Sequence, residues 1–122
     1  MARLLSAVLL ALLFVSAKSA SAKRAAPNPV PPVEYKGINY SAPNHDGRTA
    51  YVLASDSSGK ELFRVKVFEV PIDPKLEEDV QWVFITALKL SRESLLVKDE
   101  RGRCYAVDLP TRVVRRKYWC RF

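Results

Sequence analysis

The sequence predicts a mostly β fold, a small antiparallel sheet or meander of about five or six strands built from hairpins. The first observation is a repeated turn layout of Asx, two residues and glycine, at residues 44–47, 56–59 and 99–102. The second is the composition around the last two of these turns, where β-branched and aromatic residues alternate with polar ones. Alternation with a period of two is typical of strands that bury one face. We therefore expect hairpins around Asp56 and Asp99.

Each of these turns combines a capping side chain with a flexible backbone position. Asp56 or Asp99 can accept hydrogen bonds from the backbone of its own turn, while Gly59 or Gly102 takes the left-handed conformation before the next strand. We expect both glycines to have positive φ. The flanking segments then predict strands at about 49–55, 61–70, 81–90, 94–98, 103–108 and 112–118.

The amino terminus has the pattern of a secretory signal peptide, which we place at residues 1–22. Arg3 precedes an apolar run of twelve residues from Leu4 to Val15, and small residues continue to Ala22. Such a run is shorter than the roughly 20 residues that a membrane-spanning helix needs, so no transmembrane anchor is expected. Cleavage after Ala22 would leave a protein that is secreted or periplasmic.

The segment after the signal peptide is rich in proline. Residues 23–43 contain Pro27, Pro29, Pro31, Pro32 and Pro43. Its proline-rich part has no hydrophobic period, which favours a disordered leader or spacer. Residues 44–122 then form a single small β-rich domain.

One short helical turn is predicted near residues 74–79. Asp73 followed by Pro74 is a favourable start for a helix, and acidic residues at 77–79 suit the positive end of its dipole. The residues after Val80 favour a strand. A continuous helix with Leu76, Val80 and Val83 on one face is the competing interpretation.

The second and third turns lie 43 residues apart, and their flanking segments align at that offset. A period of 40 to 50 residues is typical of a propeller blade. The segments "DSSGKELFRV" and "GRCYAVDLPT" resemble the strand-turn-strand repeats of quinoprotein-type (PQQ-like) β-propellers over about forty residues. That family usually has tryptophan where Phe63 stands and glycine where Arg112 stands. The resemblance implies a blade-like sheet without the family's quinone site, because the chain is too short to close a ring of blades.

Cys104 and Cys120 are the only cysteines, and an even pair in an exported protein favours a disulfide. The expected strand geometry makes this bond demanding. If residues 108–111 form the turn, Cys104 lies opposite Arg115, and Cys120 is about 16 Å farther along a straight strand. A bond between the two cysteines therefore requires the tail to bend back.

Few residues are suited to catalysis, and we expect no enzymatic activity, no cofactor and no metal. His45 is the only histidine, and it lies in a predicted surface turn beside Asp46. A metal site needs three or four ligands at a suitable spacing, which one histidine and two paired cysteines do not supply. The alternative is a small exported enzyme or enzyme accessory with a site near His45.

The carboxyl-terminal segment is the candidate binding surface. Residues 101–122 contain seven basic residues and one acidic residue. The candidate binding residues are Arg112, Arg115, Arg116, Lys117, Tyr118, Trp119 and Arg121. Charges on both faces of a strand favour an edge position, where they also prevent aggregation. The functional interpretation is an exported binding module that contacts an anionic polymer, a membrane surface or a protein partner, with no specific nucleic acid expected.

Overall fold

The computed structural model describes residues 24–25 and 27–122. The predicted signal peptide, residues 1–22, lies outside the described residues.

The described chain forms eight strands arranged as two antiparallel sheets of four strands each. The first sheet contains β1 (Val33–Tyr35), β2 (Ile38–Ser41), β3 (Thr49–Ser55) and β4 (Glu61–Glu69), in that order. The second contains β5 (Ile85–Ser91), β6 (Ser94–Asp99), β7 (Cys104–Asp108) and β8 (Val114–Lys117), also in chain order. The mostly β class and the meander connectivity are confirmed. The strands number eight rather than five or six, and they form two sheets rather than one.

The two additional strands lie within residues 23–43, which we expected to be a disordered leader. In β1 and β2 the side chains of Val33, Tyr35, Ile38 and Tyr40 pack on or in the core. The connecting residues Lys36 and Gly37 have φ values of 50° and 77°, the left-handed pair that a two-residue hairpin prefers. Apolar and polar residues alternate in β1 and β2, and these strands form despite the nearby prolines. The prediction of a disordered leader is therefore wrong for these residues.

The two aspartate turns are confirmed and are built in the same way. Asp56 Oδ1 accepts hydrogen bonds from the backbone N–H groups of residues 58 and 60, at 2.9 and 3.0 Å. Asp99 Oδ1 accepts the equivalent pair from residues 101 and 103, both at 2.9 Å. Gly59 and Gly102 have φ values of 86° and 77°. The hairpins nevertheless occupy different places, because the first joins strands three and four of its sheet and the second joins strands two and three.

The loop at 42–48 departs from the expected Asx-x-x-Gly turn. Asp46 rather than Asn44 caps it, since Asp46 Oδ1 accepts hydrogen bonds from the N–H groups of Arg48 (2.9 Å) and Thr49 (3.2 Å). The Asn44 side chain instead pairs with both backbone groups of Ile85, at 2.9 and 3.0 Å. Gly47 is buried against Trp82. This loop therefore ties the first sheet to the start of the second.

The hydrophobic core lies between the two sheets. The first sheet contributes Val52 and Ala54, and the second contributes Leu95, Val97 and Val107, each 1% exposed or less. The rings of Phe68 and Tyr105 stack across the interface with centroids 5.0 Å apart. Burial raises the pKa of the Tyr105 phenol. The alternating residues of β6 and β7 that do not enter this core face outward.

The segment that connects the two sheets differs from the helical turn that was predicted near residues 74–79. A single 3₁₀ helix occurs in the described residues, at Asp79–Gln81. Asp73 caps a separate turn just before it, with the N–H of Lys75 donating to its carboxylate at 2.9 Å. The continuous helix does not form. Strand β5 starts at Ile85 rather than at 81, because Val83 N–H donates to Gly47 O (3.0 Å) instead of joining the sheet.

Candidate functional site

Strand β8 lies at an edge of the second sheet, as its charge pattern predicts. Its register differs from the expected one. The turn runs over residues 108–113, with the Asp108 N–H donating to Val113 O at 2.9 Å, so Val107 pairs with Val114 and Cys104 pairs with Lys117. Because of this shift of two residues, Cys120 lies three residues beyond the residue opposite Cys104 instead of five.

The predicted disulfide between Cys104 and Cys120 is confirmed, with a Cα–Cα distance of 6.2 Å. Because β8 ends at Lys117, only residues 118–119 separate the strand from Cys120. The tail, residues 118–122, turns back over the sheet instead of continuing along the edge. The bend that the sequence required is therefore present.

The tail crosses the side of the second sheet that faces away from the core, which we call the outer face. Cross-strand pairing aligns one row of side chains there: Lys89, Leu96, Ala106 and Arg115. The neighbouring row contains Lys98, Cys104 and Lys117. The centre of the outer face is apolar, because Leu96, Cys104 and Ala106 form a buried cluster on which Cys120 packs. Basic side chains stand on both sides of this centre.

A groove of about 630 Å³ opens between the tail and the outer face. Its lining residues are Lys89, Ser91, Leu96, Arg115, Arg116, Lys117, Tyr118, Trp119, Cys120 and Arg121. Five of these residues are basic and none is acidic. The Lys89 ammonium donates a hydrogen bond to Arg121 O at 3.2 Å, which holds the tail to β5.

No carboxylate within residues 24–25 and 27–122 forms an ion pair with a basic side chain of the groove. The ion pairs among the described residues involve Arg24, Arg48, Arg64, Lys66 and Arg103, all of which lie elsewhere. The acidic residue at the end of β7, Asp108, binds the N–H and hydroxyl of Thr111 through its carboxylate. In the described part of the chain, the positive charge of the groove is therefore not neutralised by acidic side chains.

Three aromatic residues of the tail face solvent. Tyr118 is fully exposed, Trp119 is 71% exposed and Phe122 is 44% exposed. The Lys98 ammonium lies 5.9 Å from the centroid of the Phe122 ring, which places this ring over β6. The outer face therefore combines uncompensated cations with exposed aromatic rings.

Six of the seven predicted binding residues line this groove, and Arg112 does not. Arg112 lies in the β7–β8 turn, where it has a φ of 63° and its guanidinium is 3.6 Å from the centroid of the Phe63 ring in the first sheet. Arg116 lines the groove but pairs with Tyr105, on the opposite side of β8 from Arg115 and Lys117. Lys89 and Lys98 were not among the predicted binding residues, because only the pairing of β5 with β6 and of β6 with β7 places them beside the tail.

His45 lies in a different place. It lines a small pocket of about 210 Å³ with Pro43, Asp46, Thr49, Tyr51, Leu53 and Arg64. The Asp46 carboxylate in this pocket already accepts two backbone hydrogen bonds of its turn. Asp46 is the acidic neighbour that a catalytic histidine would need, but its carboxylate already caps the turn of this loop.

Within residues 24–25 and 27–122, no helix is long and apolar enough to cross a membrane. The same residues hold no group of three or more His, Cys, Asp or Glu side chains placed to bind a metal ion.

Fold and groove together define a small disulfide-bonded β protein with one basic, aromatic face. Comparison with protein-family models, curated proteins and solved structures finds no match.

Proposed function

We propose that the protein is an exported, non-catalytic binding module that holds a polyanionic ligand against the outer face of the second sheet. The supporting observation is the groove lined by five basic residues and no acidic one. Unpaired cations gathered in a concave surface attract anions and concentrate them there. Export follows from the signal peptide predicted at residues 1–22, and the disulfide is consistent with an oxidising compartment.

The arrangement of the cations favours binding over edge protection alone. Lysine and arginine on an edge strand discourage pairing with another strand, which accounts for Arg115 and Lys117. Edge protection does not account for Arg121, which lies on the tail and not in the sheet. The tail is tied down by the disulfide and by Lys89, so the cations of three separate segments are held around one groove.

The proposal is tested by removing three charges from the groove and three from elsewhere. Lys89, Arg115 and Lys117 are changed to Gln in one variant. Three exposed lysines outside the groove, Lys36, Lys60 and Lys75, are changed to Gln in the control, so both variants lose the same net charge. Binding to heparin, used as a generic polyanion, is measured at several salt concentrations.

We expect the groove variant to bind heparin about a hundredfold more weakly at low salt. Each contact between unit charges at about 4 Å is worth about 1 kcal/mol in water, and three are lost. Its salt dependence should also become flatter, because screening acts on fewer contacts. The control should lose much less affinity. Equal losses in the two variants would show that only net charge matters and would contradict a localised site.

A catalytic role near His45 is the alternative, and the pocket that contains His45 and Asp46 is the observation in its favour. The His45→Gln variant tests whether this pocket, and not the groove, takes part in heparin binding. Under the binding proposal this variant retains full affinity for heparin, since His45 is not part of the groove.

A further inference from the structure

We propose that the partner of the outer face is the surface of a lipid bilayer that contains anionic phospholipid. This inference rests on the proposed function and names its ligand. The tail would lie at the level of the lipid headgroups, with its aromatic rings directed into the interface.

The exposure of the aromatic rings favours a surface over a linear polymer. Tyr118 is fully exposed and Trp119 is 71% exposed, so most of each side chain faces away from the protein. Both residues also line the groove, and a ligand confined there would cover only that side of each ring. A bilayer interface can surround both rings, and it is the environment that tryptophan and tyrosine prefer, with an apolar ring and a polar edge.

The cations are placed to support the same contact. Lys89 and Lys98 stand on one side of the apolar centre of the outer face, and Arg115 and Lys117 stand on the other. Long basic side chains can direct their charged ends to lipid phosphates while their methylene groups stay beside apolar surface. Each basic residue near an anionic bilayer increases binding about fivefold. The combination of charge with aromatic insertion supplies the two contributions that stable peripheral binding requires.

The tail is also held in place before any ligand arrives. Cys120 is bonded to Cys104 on the floor of the outer face, and the Lys89 ammonium holds Arg121 O. The aromatic residues immediately before Cys120 are thus presented from a fixed backbone. Binding a pre-organised segment requires less loss of conformational freedom than ordering a flexible one.

The experiment uses the oxidised protein with vesicles of phosphatidylcholine alone or of phosphatidylcholine mixed with phosphatidylserine. Cosedimentation measures binding, and tryptophan emission reports the surroundings of Trp119 and of Trp82. We expect binding to the mixed vesicles only, with a shift of emission to shorter wavelength. The Trp119→Phe variant should still bind but lose the shift, which assigns the shift to Trp119. The Trp119→Ala variant should bind about tenfold more weakly, because an apolar ring no longer leaves water.

Two results distinguish this inference from the proposed function. Retention on heparin without binding to mixed vesicles would overturn the bilayer as partner and leave the polyanion site intact. Failure to bind either one would overturn both. Binding to mixed vesicles with unchanged Trp119 emission would also overturn the inference, because contact would then depend on charge without insertion of the tail. The variant with Lys89, Arg115 and Lys117 changed to Gln should bind mixed vesicles about a hundredfold more weakly.

Discussion

Replacing Gly47 with alanine should strongly destabilise the protein, because this residue lies where the two sheets are joined. A Cβ atom built on Gly47 would lie 2.2 Å from Trp82 Cβ, 2.8 Å from Trp82 Cα and 2.8 Å from Val83 N. All three atoms are backbone or directly attached to it. They cannot move aside by a change of side-chain rotamer, so the backbone itself has to shift.

The cost can be estimated from two contributions. Overpacking in a tightly packed site costs about 1 to 3 kcal/mol, and rigid neighbours place Gly47 near the upper end. A backbone shift would also weaken the hydrogen bond from Val83 N–H to Gly47 O, which is 3.0 Å long, and a lost hydrogen bond costs about 1 kcal/mol. We expect Gly47→Ala to lower the free energy of unfolding by about 3 kcal/mol.

Urea denaturation measures this difference, and Gly59→Ala is the matched control. A Cβ on Gly59 meets nothing within 4 Å, so that variant has only the strain of a left-handed backbone at a φ of 86°, about 1 kcal/mol. Gly47→Ala should therefore unfold at a clearly lower urea concentration than Gly59→Ala. If the control is destabilised as much or more, the close approach of Gly47 to Trp82 is not a determinant of stability.

Three further predictions concern the turns and the tail. Gly102→Val should destabilise the protein by more than about 1 kcal/mol, because Gly102 has a φ of 77° and a β-branched residue is strained there; an unchanged melting temperature would contradict this. The Ser58 hydroxyl and the turn N–H groups lower the pKa of Asp56, so its stabilisation is complete above the ordinary aspartate pKa of about 3.9 and is lost as the pH falls through the lower, folded-state value. The difference in urea midpoint between the wild type and Asp56→Asn should thus be smaller at strongly acidic pH than at neutral pH. A difference that is the same at both pH values would refute the role of this carboxylate. Cys120→Ser should lower stability by about 3 kcal/mol and also weaken heparin binding, since the tail is released; unchanged heparin binding would show that the tail does not form the site.

Local turn chemistry made the central hairpins predictable from sequence. Strand β3 was placed at its observed bounds, Thr49–Ser55, because alternation and an Asp-to-Gly turn agree there. The β1–β2 hairpin was missed, since five prolines in residues 23–43 obscured the short alternation around Lys36 and Gly37. The separation of the strands into two sheets depends on long-range packing across the core, which a local pattern does not contain.

The candidate site was predictable only where the local sequence pattern is sufficient. The carboxyl-terminal candidates could be identified from their own basic and aromatic composition. Six of these seven residues line the groove. Arg112 was placed with them because an extended strand was expected to begin at 112, whereas the turn continues through Val113. Lys89 and Lys98 could not be assigned, because their place beside the tail follows from strand register and from the disulfide.

If the outer face of the second sheet binds polyanions, amide chemical shifts should report the contact residue by residue. Titrating ¹⁵N-labelled protein with a short heparin oligosaccharide should shift the amides of Lys89, Arg115, Lys117 and Arg121 together and saturably. The amides of the His45 pocket should stay unchanged, because they lie on β3, on β4 and in the loop before β3, outside the groove. Shifts centred on His45, or shifts spread evenly over exposed lysines without saturation, would contradict polyanion binding at the outer face.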